Sequence, residues 1–135
     1  MKRVSPAIRE SVRQRANNCC EYCLVPKLPN GESFHVDHII PVKPHKGTES
    51  LENYAWACFD CNTTKAGNIS SYDVLTKQLT PLYNPRTQIW DQHFAKDGPV
   101  IIGKTAIGRV TVDVLEMNES AQIEFRLLLI ELGLW

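Results

Sequence analysis

Two short segments, CEYC at residues 20–23 and CFDC at residues 58–61, constrain this chain more than anything else in it. Two thiolates separated by two residues grip one face of a tetrahedral ion, and two such pairs have the spacing of a structural four-cysteine zinc site: Cys20, Cys23, Cys58 and Cys61. Cys19 also stands at a tolerated distance from Cys23 and competes for the first position; the two-residue spacing favours Cys20. The odd cysteine count argues against a disulfide framework. Zinc held this way contributes on the order of 10 kcal/mol or more, comparable with a domain's whole stability. Four thiolates leave the ion no open position, so it serves as scaffold and any catalysis uses other groups.

A chain of 135 residues fits a single domain, residues 1–135, with room for one core but not two. Lys+Arg and Asp+Glu balance at 15 each, which excludes a strong global positive field. The distribution is uneven. Lys2, Arg3, Arg9, Arg13 and Arg15 face only Glu10 at one end, whereas Asp113, Glu116, Glu119, Glu124 and Glu131 face only Arg126 at the other, so a polyanion prefers the first. No apolar run is long enough to span a bilayer and the first residues lack a secretion signal, so a cytoplasmic protein is expected.

Ser5 and Pro6 predict a helix start, with Ile8 and Val12 on one face to about Ala16. Phe34–Ile40 and Asn53–Ala57 read as two strands of a hairpin with a long connection. A short helix is predicted after Cys61, ended by Gly67. Residues 68–98 are rich in turn formers. The alternation of Val110, Val112 and Val114 with polar residues predicts a strand, and Asn118 is expected to cap a last helix reaching about Leu132.

Between and beyond the cysteine pairs stand VDHIIP (residues 36–41), Asn53 and CNTTK (residues 61–65). With CEYC, these segments resemble the HNH endonucleases of ββα-metal fold, and the tail resembles that of a bacterial branch of the same family. The resemblance implies a small α+β domain: a ββα-metal core at residues 17–68, stapled by zinc, with a C-terminal strand and helix extension at residues 69–135 packed on it. It makes His38 the general base, Asp37 and Asn62 the ligands of a catalytic Mg²⁺ or Mn²⁺, and Asn53 the residue that fixes the hairpin loop, with DNA as substrate. Many members carry a histidine where this chain has Asn62, and an amide favours a hard ion. An unperturbed imidazole titrates at about 6.5, near where a base works best.

Lys65, Arg86 and His45 are candidate phosphate contacts, although Lys65 equally suits a helix C-terminus and Arg86 an ordinary surface. His35, His93 and the tryptophans Trp56, Trp90 and Trp135 are expected to pack rather than ligate or stack on bases. One difficulty is local: neighbouring strand residues point to opposite faces, yet Asp37 and His38 are needed at one centre. A non-catalytic zinc module binding nucleic acid or protein is the competing function, since it needs the cysteines but not Asp37, His38 and Asn62 together. RNA cleavage would use the same chemistry, and monomer and homodimer are equally compatible with the sequence.

Overall fold

Ser5 opens the first helix in the computed structural model, which describes residues 4–135; Lys2 and Arg3 of the basic stretch lie outside the described residues. Its hydroxyl accepts a hydrogen bond from the amide of Ile8 at 3.2 Å, and Pro6 sets φ for α1 (Pro6–Arg15). Val12 is the buried residue of this helix, which packs on β2 (Tyr54–Ala57). All four residues of β2 are buried, and burying Trp56 alone is worth roughly 2–3 kcal/mol.

β2 pairs antiparallel with β1 (His35–His38), placing Asp37 opposite Ala55 and His38 opposite Tyr54. α2 (Phe59–Lys65) follows directly and packs against β1, completing a strand–strand–helix unit. The helix ends at Lys65, and the glycine expected to end it, Gly67, stands just past the cap. Its last cap is Ala66, held at φ +47°, a region that disfavours a side chain, with its amide bonded to the carbonyl of Asn62.

The turn-rich stretch and the residues just after it form two hairpins: β3 (Ser70–Asp73) with β4 (Gln78–Pro81), then, after the single turn α3 (Trp90–His93), β5 (Phe94–Asp97) with β6 (Val100–Gly103). The strand expected around Val110–Val114 is instead part of helix α4 (Ala106–Val114). Its valine alternation coexists with Ile107, Val110, Thr111, Val114 and Leu115 at helical spacing, and Thr105 caps the start by accepting from the amide of Gly108 at 3.1 Å. That cap and the packing of α4 on β6 and β3 decide for the helix. Gly108 is required there: a Cβ would lie 2.0 Å from the carbonyl oxygen of His93.

Asn118 does not cap α5 (Ser120–Glu131), whose N-cap is Glu119. Its amide instead accepts from the Ile101 amide at 3.0 Å and donates to the Ile101 carbonyl at 2.8 Å, tying α5 to β6. One apolar cluster runs from Val12, Trp56 and Tyr22 through Phe94, Ile101 and Val110 to Leu115, Met117 and Leu129. Polar ties cross it as well: Trp90 Nε1 donates to the Tyr22 carbonyl at 2.8 Å, and Trp135 Nε1 to that of Cys23 at 3.0 Å.

Candidate functional site: a thiolate staple and an open cleft

Cys20, Cys23, Cys58 and Cys61 bring their sulfurs within 4.8 Å of one another, all buried. Ligands on a tetrahedral ion with bonds of about 2.3 Å stand about 3.8 Å apart; Cys23 and Cys58 are separated by 3.7 Å. The donor set and its spacing therefore fit zinc. Backbone amides already point at the sulfurs, Cys23 N–H to Cys20 Sγ at 3.5 Å and Cys61 N–H to Cys58 Sγ at 3.4 Å. Cys19 lies outside the quartet, its thiol directed to the Asn17 carbonyl. Nearby, the buried Arg126 donates to Met117 O at 2.6 Å and Asn118 Oδ1 at 3.1 Å; burial pulls its pKa down while the negative sulfurs of Cys23, Cys61 and Cys58 oppose that.

An open cleft of about 1180 Å³ is lined by His35, Val36, Asp37 and His38 together with Glu49 and Asn62. Both faces of β1 contribute because this strand has a partner on one side only, so the cleft wraps its free edge. That geometry answers the alternation problem: Asp37 and His38 point to opposite faces and still border the same space.

Asp37 is 5% exposed. Its Oδ2 accepts from the Tyr22 hydroxyl at 2.7 Å and lies 3.1 Å from the Lys65 ammonium. Burial pushes the Asp37 carboxyl up from its ordinary value, and the Lys65 charge and the Tyr22 hydroxyl pull it back. Tyr22 is itself driven well up by burial and by the Asp37 charge, so it remains a donor. His38 Nε2 is hydrogen-bonded to Glu49 Oε1, and the Tyr54 ring meets the imidazole edge-on at 5.2 Å between centroids. Among the described residues the cysteine quartet is the only ready group of three or more His, Cys, Asp or Glu ligands. Asp37, already paired with Lys65, and Asn62 both border the cleft, one carboxylate and one amide; oxygen donors of this kind are the chemistry a hard ion takes.

Asn53 is buried and grips both ends of the 40–48 loop: its Oδ1 accepts from Ile40 N–H at 2.9 Å, and its Nδ2 donates to Ile40 O at 2.8 Å and Thr48 O at 2.9 Å. Gly47 fits beneath it only without a side chain, since a Cβ would stand 1.7 Å from the Ile40 oxygen.

Two expected phosphate contacts are placed elsewhere. Lys65 is 1% exposed, its ammonium donating to Asp37 and to the carbonyls of His38 and Ile39 at 3.1 and 3.2 Å, so it is an interior cation. Arg86 is half-buried and paired with Glu21, whose other oxygen accepts the Trp56 amide. His45 is exposed on the loop, and Arg9 and Lys43 line the cleft. Sequence reasoning missed Tyr22, Tyr54 and Glu49; none carries a local signal, because each acts through a partner distant in the chain. His93 bonds Thr105 Oγ1 at 2.7 Å, away from the cleft.

Residues 20–67 match the family described as HNH endonuclease. Over 126 residues the chain is 25% identical to the Septu protein PtuB of Bacillus thuringiensis, a match covering 93% of this chain and 46% of that protein. The chain thus spans about half the length of that curated relative. No solved structure matches it. No helix among the described residues is long and apolar enough to cross a membrane.

Proposed function

From the HNH-type segment at residues 20–67 we propose that the protein is a metal-dependent endonuclease hydrolysing DNA phosphodiester bonds, with His38 as general base and Asp37 and Asn62 holding a Mg²⁺ or Mn²⁺. The observation that carries this reading is that Asp37, His38 and Asn62 line one open cleft, in a chain whose four cysteines form a ready thiolate quartet. His38 takes a proton from water, the hydroxide attacks phosphorus in line, and the 3′ oxygen departs, leaving 5′-phosphate and 3′-hydroxyl ends. When bound, the divalent ion supplies positive charge against the phosphate oxygens and the leaving oxygen. Lys65 and Tyr22 hold the Asp37 carboxylate in place, and Arg9 and Lys43 on the cleft wall meet the DNA backbone.

The test is relaxation of supercoiled plasmid by zinc-loaded protein in Mg²⁺ or Mn²⁺, beside the D37A and N62A variants. Divalent-dependent nicking that weakens in both variants, at higher ion demand, is the expected result. Cleavage indifferent to the divalent ion would reject the reading. One observation favours a second reading, a non-catalytic zinc-stapled module: the carboxylate needed for the ion is already neutralised by Lys65. Absence of any nicking with nucleic-acid binding intact would select that module.

A further inference from the structure

Glu49 lies in the loop between β1 and β2, where no motif marks it. The loop is held firmly: Asn53 grips Ile40 and Thr48, Gly47 N–H bonds Pro41 O at 2.9 Å, and the hydroxyls of Thr48 and Ser50 meet at 2.7 Å. This brings Glu49 Oε1 to His38 Nε2 and into reach of the Tyr54 hydroxyl, which donates to the same oxygen at 3.3 Å. Tyr54 also stands opposite His38 across the strand pair and packs edge-on against its ring. The imidazole is therefore fixed on one side by a carboxylate and on another by an aromatic edge.

We propose, building on the nuclease reading, that Glu49 is the positioning residue of the general base: it fixes His38 in the tautomer protonated on Nε2 and so leaves Nδ1 as the nitrogen that accepts the proton of the attacking water. The chemistry follows from what a carboxylate can do. An ionised carboxylate has no hydrogen to give, so its bond to Nε2 requires the hydrogen to reside on that nitrogen, and in a neutral ring the lone pair is then on Nδ1. Without Glu49 both tautomers are populated and only the Tyr54 edge restrains the ring. Tyr54 keeps Glu49 Oε1 aimed at the ring, acting one step further out.

The test compares wild type with E49A and E49Q, all loaded with zinc. Nitrogen-15 spectra of the His38 ring, followed with rising pH to the plateau where the signals no longer move, are expected to show the Nε2–H form in wild type and E49Q and a mixture in E49A. Steady-state nicking is expected to lose roughly 10–100-fold in kcat for E49A with little change in KM, the scale seen when the hydrogen-bond partner that orients a metal-ligating histidine is removed. E49Q, whose amide oxygen still accepts from Nε2, is expected to recover most of that loss. The spectra stand whether or not the protein cleaves, so a wild type without nicking removes the nuclease reading and leaves the tautomer assignment to be judged alone. A wild-type ring protonated on Nδ1, or an E49A kcat within about twofold of wild type, overturns the proposal.

Discussion

The ammonium of Lys65 sits 3.1 Å from a carboxylate oxygen of Asp37, and both groups are shut away from water. This ion pair ties the last turn of α2 to the end of β1, where His38 follows, so the helix that carries Cys61 positions the cleft through charge as well as packing. Removing one partner leaves the other buried and uncompensated. The K65M variant, which keeps the aliphatic stem, is expected to lose about 3–5 kcal/mol of stability in urea unfolding of zinc-loaded protein. Adding D37N should return part of the loss; a double variant no more stable than K65M would count against the pair as its source.

Zinc removal should undo the centre of the molecule. The quartet joins residues 20–23 to residues 58–61; β1 and β2 lie between these segments and α2 starts within the second. Chelation, or C61S, is expected to abolish cooperative unfolding of the core as followed by circular dichroism, with bound zinc lost in parallel. A chelated protein that kept its native melting transition would show that packing alone suffices.

The 40–48 loop supplies a third outcome. N53A strips partners from the Ile40 amide and two carbonyls, at a cost of about 2–3 kcal/mol. G47A forces a methyl into the Ile40 carbonyl. Both variants should lower the melting temperature and open the loop to protease, and nicking should fall with them because Glu49 rides on this loop. Unchanged proteolysis of N53A would mean that the loop holds its shape without those bonds.

Acid stability turns on Asp73. Arg109 grips its carboxylate with two hydrogen bonds of 3.0 Å, which together with the Thr76 amide hold the carboxyl well below the usual range. The folded pKa is depressed, so the contribution is complete above the unfolded value of about 3.9 and is lost as pH falls toward the folded value. Wild type should weaken below about pH 4. D73N should be less stable at neutral pH and show a shallower acid limb in pH-dependent unfolding; an identical limb would place the acid sensitivity elsewhere.

The cysteine spacing, the first helix and the β1–β2–α2 order were legible because each rests on local chemistry: ligand pairs, a Ser-Pro start, short apolar runs. Val110–Val114 was misleading, since five residues satisfy a period of two and a helical face together, and only Thr105 and the packing of α4 against β6 separate them. The role of Lys65 was hidden for a different reason. A lysine at a helix end normally reaches solvent, and only the fold reveals an aspartate 28 positions earlier with two carbonyls beside it. Glu49 and Tyr22 are the same case, side chains whose meaning lies in a partner that strand pairing delivers.

Single-turnover nicking by His38→Ala, in parallel with wild type in Mn²⁺ and with equal zinc content and melting temperature, probes the central claim most directly. A positioned base contributes roughly 10²–10⁴-fold, so the variant should nick at least about a hundredfold more slowly while remaining folded. Nicking by the folded variant at the wild-type rate would contradict the assignment of His38 as the base.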